Sequence, residues 1–381
     1  MRLREVGIRH FRNLAVQELQ IPPEGLALIG ENAQGKSSFL EAIYYLETFR
    51  SFRGAPDEQL VAVGQEAFRV TAALDERKIS AAYQPRGKRK KVTVDGAETD
   101  RLGDALGSLA AVIFSPADVE VVSGGPAERR RYLDIVLSLN VPGYVRALQQ
   151  YRHVLAQRNA ALKEAGRSGA GSAGGAPVRP WDDGLVRAGA RLIVERRRWV
   201  EERGGLFRSL YEAVAADGQT AALRYAPGLA LAEVAGSALS EEDVACAFRE
   251  ALAVPRTVER DLRMGSTSVG PHRDDLEVTL EGDAGRMEAR AFGSGGQRRT
   301  AALALRLLEA RTIRVRRERA PLVLVDDVFA ELDEGRSERA LDLLEREETG
   351  QVILTAPKAS DVRLKRDALP CWRIARGRIE T

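Results

Sequence analysis

The chain has 381 residues, 44% of them hydrophobic and 30% charged, with a formal net charge of +3 and two cysteines. That length supports more than one structural unit, and the composition excludes a disordered chain and a disulfide scaffold. No run approaches the roughly 18 to 20 apolar residues of a membrane span, and Met1–Val6 lacks an apolar signal segment, so a cytoplasmic protein with no membrane partner is expected.

Leu3–Ile8 alternates apolar and polar residues and reads as a first strand. Leu26–Ile29 is a buried strand leading into Gly30-Glu31-Asn32-Ala33-Gln34-Gly35-Lys36-Ser37, a complete G-x-x-x-x-G-K-S loop. The helix Ser38–Leu46 follows, with Phe39, Leu40, Ile43 and Leu46 on one face. Strand, glycine loop and helix are the context this motif requires. Gly30 and Gly35 let the backbone wrap so that its N–H groups and the helix N-terminus face an anion. Lys36 then reaches the β- and γ-phosphates, and the Ser37 hydroxyl ligates Mg²⁺. Glu31, Asn32, Ala33, Gln34 and Ser38 complete the expected cradle for ATP.

Phe68–Leu74, Ile79–Tyr83 and Lys91–Gly96 read as meander strands, and Ala110–Phe114 as a buried strand ending at Pro116. From Ala127 the period becomes helical: Tyr132, Leu133, Val136, Leu137 and Leu139, then Val145, Leu148, Tyr151, Leu155 and Leu162. The low-complexity stretch Gly166–Gly175 reads as a flexible loop, followed by a helix over Leu185–Leu206. Ser240 is the expected N-cap of a helix over Val244–Leu252. From about Thr267 strands return, at Glu277–Leu280, Leu322–Val325, Val352–Thr355 and Trp372–Ala375. The expected organisation is residues 1–126 and 267–381 as two halves of one α/β unit, with 127–266 as a helical insertion.

Pro321–Val325 runs into Asp326 and Asp327. An apolar run of this kind is a buried parallel strand, and a carboxylate at its C-terminal end lands beside the phosphate loop. Asp326 is expected to hold Mg²⁺ opposite Ser37, and Asp327 to polarise the attacking water. Gly293-Ser294-Gly295-Gly296-Gln297, ahead of a helix over Thr300–Ala310, is a second glycine-rich helix start that suits an anion.

The phosphate loop, Ser294–Gln297, Asp326-Asp327 and Ala330-Glu331-Leu332-Asp333 occur in an order that resembles the ABC-type ATPase heads of SMC, Rad50 and RecF proteins. The more specific resemblance is to the RecF family of bacterial recombination mediators. It is carried by Ile8–Leu14, Gly30–Ser37, Ser51-Phe52-Arg53, Ser123–Pro126, Gln157–Leu162, Arg179–Asp182, Gly270–Leu276 and Asp326–Asp333. It implies an α/β fold, an ABC-type P-loop ATPase head of the Rad50/SMC kind interrupted by a compact α-helical lid. It makes Ser294, Gly295 and Gly296 a signature motif that meets the γ-phosphate held by a second subunit, with Gln297 beside it. It places Asp333 in the loop crossing that interface and Arg12 against the nucleotide. Lys36, Asp326, Asp327 and Ser294 become the catalytic set.

The implied activity is weak, DNA-stimulated ATP hydrolysis. ATP closes a head-to-head homodimer on double-stranded DNA or a single/double-strand junction, RecR- and RecO-type mediators join it, and slow hydrolysis resets it, in recombinational repair and the SOS response. The chain departs from common ABC patterns: Gly293 precedes Ser294, Asp327 replaces a Glu, Thr355 stands where transporters carry a histidine, and Ile113–Asp118 holds no glutamine. Lys88, Arg89, Lys90, Lys91, Arg129, Arg130 and Arg131 are the candidate DNA-phosphate contacts. A transporter ATPase subunit and an SMC or Rad50-type structural ATPase are the alternatives; the missing histidine argues against the first, and the short, glycine-broken insertion against the second.

Overall fold

Strands that are apolar along nearly their whole length must bury both faces, and here four of them stack in parallel beside Cys371–Ala375, which alternates and buries one face. Cys371–Ala375, Gly25–Ile29, Val352–Ala356, Leu322–Asp326 and Ala111–Phe114 pair in that order, with Arg378–Glu380 antiparallel at one edge. The computed structural model describes residues 2–167, 178–231, 239–282, 285–327, 333–346, 350–358 and 369–381. The expected loop over Gly166–Gly175 lies outside these from residue 168 on, as does Ala330-Glu331-Leu332.

The alternating segments form a second, antiparallel sheet. Its order is Gln17–Gln20, Leu3–Arg9, Phe68–Leu74, Lys78–Gln84, Arg89–Val94 and Ala97–Glu98. The helix Lys36–Thr48 packs against strands of both sheets and is buried along nearly its whole length, as a helix apolar on most sides must be. Phe11, Tyr45 and Phe68 meet edge to face at centroid distances of 5.1 to 6.2 Å and close its contact with the antiparallel sheet.

The chain divides into two compact units: Met1–Glu120, Leu210–Gln219 and Ser294–Thr381 in the first, Val121–Ser209 and Thr220–Gly293 in the second. The second begins earlier and ends later than 127–266, and it is not wholly helical. Asp275–Gly282, expected in the ATPase half, pairs with Thr220–Ala226 and Gly285–Glu288 in a three-stranded antiparallel sheet. The Thr220–Ala226 strand has little apolar alternation, so its sequence gives no strand signal. Around the sheet lie the helices Pro126–Asn140, Tyr144–Arg167, Glu241–Ala253 and Pro255–Met264, and the first part of Arg179–Ala215.

The second unit is knotted by buried ions. Arg196 donates to Asp134 at 2.8 Å, Asp274 at 2.7 Å and the Pro271 carbonyl at 2.7 Å. Arg158 is likewise buried, between Asp182 at 2.9 Å and Asp261 at 2.8 Å. Charges this deep are tolerated only when paired and hydrogen-bonded. The family-like segments Gln157–Leu162, Arg179–Asp182 and Gly270–Leu276 therefore meet here as structural partners.

Candidate nucleotide-binding site

The loop between the Gly25–Ile29 strand and the Lys36–Thr48 helix takes its shape from its glycines. Gly35 has φ of 117°, a left-handed conformation only glycine adopts freely, and it is the helix N-cap. A Cβ on Gly30 would stand 2.6 Å from the Ile374 carbonyl oxygen. Three outside groups brace the loop: Asn13 Nδ2 donates to the Ala33 carbonyl, Arg376 N–H to Gln34 Oε1 at 2.6 Å, and Gly377 N–H to the Gln34 carbonyl at 2.9 Å. Ser38 Oγ donates to Asn13 Oδ1 at 2.9 Å. Glu31, Asn32 and Ala33 remain exposed, so the first turn of the helix, whose N–H groups have no intrahelical acceptor, opens toward solvent.

Lys36 is 7% exposed and its Nζ donates to the carbonyls of Gly30, at 2.6 Å, and Glu31, at 3.2 Å. The ammonium is thus stored inside the loop, where a phosphate can compete for it. Ser37 Oγ donates to Asp326 Oδ1 at 2.8 Å, across 289 positions of sequence. Thr355 Oγ1 donates to the same oxygen at 3.1 Å. Burial pushes the Asp326 carboxyl above its ordinary range; the hydrogen bonds from Ser37 and Thr355 and the charge of Arg53 pull it back, and Asp327 raises it further. A cation at Asp326 relieves that desolvation. Ser37 and Asp326 are hard oxygen donors on one spot and fit Mg²⁺, which takes one or two protein ligands and keeps water and phosphate for the rest. Asp327 follows with φ of 52°, turning the chain sharply off the strand end.

Arg12 is committed to another partner. Its Nε and Nη2 donate to the two carboxylate oxygens of Glu41 at 2.9 and 3.0 Å, and Nη1 to the Gln59 carbonyl at 3.2 Å. Glu41 is fully buried and also accepts from Ser51 Oγ. The bidentate pair fixes the guanidinium plane and leaves the side chain 22% exposed. Asn13, Glu41 and Arg53 belong to this site without a site motif of their own. Asn13 and Arg53 lie in segments that carry only the family resemblance, and Glu41 reads as one more helix residue.

Ser294 caps the helix Gly295–Arg317 by a reciprocal capping box: its Oγ accepts from Gln297 N–H at 3.2 Å, and Gln297 Oε1 accepts from Ser294 N–H at 2.6 Å. The glycine at 293 therefore does not leave this turn loose. Ser294 and Gly295 are exposed. A Cβ on Gly296 would meet Arg336 Nη1 at 2.5 Å, and Arg336 N–H donates to Asp333 Oδ1 at 2.9 Å, so Gly296 and Asp333 share a neighbour. Among the described residues, no hydrogen bond or ion pair joins Ser294–Gln297 to the phosphate loop.

The basic runs do not act as blocks. Lys88 and Arg89 are exposed at the Pro85–Lys88 turn. Lys90 points to the other side of its strand, where Nζ meets Asp57 at 2.6 Å and the Phe49 carbonyl at 2.7 Å, 5.2 Å from the Tyr45 ring centroid. Lys91 pairs with Glu98 at 2.7 Å. Arg129 is buried in a bidentate pair with Asp275, at 2.7 and 2.8 Å, and Arg130 donates to the Asp274 carbonyl at 2.7 Å. The Lys90 and Arg129 cations are thus taken up by carboxylates of the chain itself. A strand sends neighbouring residues to opposite faces and a helix turns them by about 100°, so a run of cations does not share one face. Arg131 is exposed.

Comparison with known proteins places the chain. The profile of the family described as "RecF/RecN/SMC N terminal domain" matches residues 2–369. The chain is 35% identical over 384 residues to the DNA replication and repair protein RecF of Geobacter sulfurreducens, covering 100% of this chain and 99% of that protein. It is 39% identical to the RecF of Chloroflexus aggregans, covering 95% and 94%. Among solved structures it resembles the recombination mediator protein RecF-ATP of the RecFOR pathway, with a TM-score of 0.87, 31% identity and coverage of 99% and 96%. An Smc head domain from Pyrococcus furiosus matches at a TM-score of 0.54 and 16% identity, a likeness of fold alone.

Proposed function

The chain belongs to the RecF family, and from that premise we propose that it is an ATP-dependent DNA-binding protein of recombinational repair and replication restart. The fold is the ABC-type P-loop ATPase head. The observation that carries the reading is the 2.8 Å hydrogen bond from Ser37 to Asp326, which assembles the two halves of a nucleotide site from opposite ends of the chain.

In this reading Lys36 leaves the Gly30 and Glu31 carbonyls for the β- and γ-phosphates. The N–H groups of the loop and of the first helical turn receive the remaining phosphate oxygens. Ser37 and Asp326 hold Mg²⁺, which when bound offsets phosphate charge as it shifts toward the leaving oxygen. Asp327 orients the attacking water and takes its proton. Arg12, held flat by Glu41, lies at the nucleotide's side. Ser294, with its hydroxyl at an exposed helix start, serves the γ-phosphate of a second copy, so that two ATP molecules close a head-to-head dimer. That dimer clamps duplex DNA at gaps, and with RecR- and RecO-type mediators promotes recombinase loading. Hydrolysis is slow because Asp327 is one methylene shorter than a Glu, no histidine stands at Thr355, and no glutamine follows the Ala111–Phe114 strand. The site of action is the cytoplasm; among the described residues no helix is long and apolar enough to cross a membrane.

Two variants test the site. Lys36→Met should abolish binding of a fluorescent ATP analogue and nucleotide-dependent dimerisation together. Ser294→Arg should keep analogue binding within a few-fold at monomeric concentrations while light scattering shows no dimer. Equal loss of analogue affinity in both would place Ser294 in its own chain's site and overturn the dimer reading.

A further inference from the structure

The segment Gly270–Leu276 divides its charges between the inside and the surface of the second unit. Gly270 has φ of 117°, and a Cβ there would stand 2.5 Å from Phe248 Cζ and 2.8 Å from Tyr151 Oη. Only glycine lets the short turn Pro271–Arg273 pack this closely. The two carboxylates that follow are spent within the unit. Asp274 accepts from Arg196 at 2.7 Å, and Asp275 holds Arg129 in a bidentate pair at 2.7 and 2.8 Å. His272, by contrast, is half-buried and Arg273 exposed.

Arg130 joins them from the Pro126–Asn140 helix. Its Nη1 donates to the Asp274 carbonyl at 2.7 Å, and Arg273 Nη2 donates to the Thr267 carbonyl at 3.2 Å. His272 Nε2 donates to that same Thr267 carbonyl at 2.9 Å, so Nδ1 accepts from Tyr151 Oη at 2.6 Å. Both arginines face this ring. Burial lowers the His272 pKa, and Arg273 and Arg130 lower it further, against the Thr267 carbonyl and the charge of Asp274. Among the described residues neither Arg130 nor Arg273 makes an ion pair; each side chain is held by one backbone carbonyl. Burial and the charge of Arg196 both press on the Arg130 cation. The carboxylates that act on it in return are Asp274, Asp275 and Asp134, and each is committed elsewhere: Asp274 to Arg196, Asp275 to Arg129, Asp134 to Arg196 and Arg152. A half-buried cation beside another cation, with no carboxylate of its own, is costly to hold. An anion from outside would offset that cost. The carbonyls fix the two guanidiniums and leave most of their N–H donors for it.

We propose that Arg130 and Arg273 form a phosphodiester-binding site on the second unit, where they hold the backbone of duplex DNA. The proposal rests on the reading of this chain as a DNA-binding protein. Guanidinium forks match the oxygens of a phosphate and stay charged at every working pH. Arg273 is exposed, so a polymer can cross the site, whereas a free small ligand is ordinarily enclosed by its pocket. Contacts of this kind set affinity and register without reading sequence. One segment thereby serves two ends: Asp274 and Asp275 tie the unit together, and Arg273 meets DNA.

The test follows a fluorescein-labelled duplex by anisotropy as it binds the full-length protein with ATPγS, at several salt concentrations. The double variant Arg130→Gln/Arg273→Gln should bind about tenfold more weakly than the parent, and its salt slope should flatten by about 0.9 for each phosphate left without a cation. Arg273→Gln alone, at an exposed position, serves if the double variant folds poorly. Arg273→Lys keeps the charge but loses the fork, so it should keep the parent's salt slope and bind a few-fold more weakly. Arg224→Gln removes a surface cation of the same unit that already pairs with Glu277 at 2.5 Å, and it should leave the slope unchanged. Nuclear magnetic resonance of histidine-labelled protein gives a second readout. The duplex should raise the His272 pKa toward the ordinary histidine value, because its phosphate offsets Arg130 and Arg273 while Tyr151 and Asp274 stay in place. An unchanged salt slope in the double variant overturns the proposal and leaves the two arginines to an acidic protein surface. Equal flattening in Arg224→Gln overturns it as well, as does a His272 titration that the duplex does not move. A parent protein that binds no duplex at all overturns the DNA-binding reading itself, a distinct result seen before any variant is made.

Discussion

Replacing Asp274 by alanine removes the acceptor at the centre of the second unit's polar knot. The carboxylate is fully buried; Oδ2 accepts from Arg196 Nη1 at 2.7 Å and from Tyr225 Oη, and Oδ1 accepts from the Gly228 N–H at 2.7 Å. Three donors lose their partner in a site too deep for water to replace it freely. Hydrogen bonds to charged groups are worth about 1.5–3 kcal/mol each, but simple addition overstates the loss. Arg196 keeps Asp134 at 2.8 Å, so its charge is not orphaned. The figure for breaking one partner out of a buried pair, about 3–5 kcal/mol, is the better guide. For a unit of this size that lowers Tm by roughly 10 °C. Differential scanning calorimetry of the full chain at pH 7 measures it, with Asp274→Asn, which keeps the shape and one acceptor oxygen, falling between variant and parent. A Tm for Asp274→Ala within about 2 °C of the parent would refute the claim that the Gly270–Leu276 segment holds this unit together.

Glu47 should make stability depend on pH. Burial pushes its carboxyl up to about 7, against the opposing pull of Arg317 and of backbone donors at Leu109, Ala110 and Ala111. The folded state then binds a proton that the unfolded state releases near the ordinary carboxylate value. Stability therefore falls as pH rises from about 4.5 to 7, and Glu47→Gln should gain about 3 kcal/mol relative to the parent at pH 8 but little at pH 4.5. Urea midpoints at the two pH values give the answer, and parallel profiles would dismiss the role. The basic hairpin should show divided labour. Neutralising Lys88, Arg89 and Lys91 should weaken duplex binding to all sequences alike and flatten its salt dependence by about 0.9 for each DNA phosphate left without its cation. Lys90→Gln should lower thermal stability, since it leaves Asp57 without its close cation; an unchanged salt slope in the triple variant would assign the hairpin to solvent.

Much of the site is legible in the sequence because its chemistry is local. Eight consecutive residues, Gly30–Ser37, specify a backbone path, and an apolar run ending in Asp326 specifies where a carboxylate emerges. Both follow from steric and solvation rules acting within a few residues, and both elements form as read. The antiparallel meander is legible for the same reason, since alternation is a nearest-neighbour property. The unit boundary is not. Asp275–Gly282 alternates cleanly, but whether it joins one sheet or another depends on its partner, and Thr220–Ala226 gives little sign of itself until the two pair. Charge runs are the weakest guide. Lys90 and Lys91 are adjacent and identical, yet one lies against Tyr45 and Asp57 and the other at a surface pair, because strand direction and the carboxylate opposite decide the cost of burying an ammonium. Arg12 and Glu41 are 29 residues apart and meet only once the helix is docked. What the sequence determines is which groups are candidates for the site; which cations are taken up by partners within the chain, and which acid holds which base in place, is settled by long-range packing, where the free energy of a charge depends on neighbours that no local pattern names.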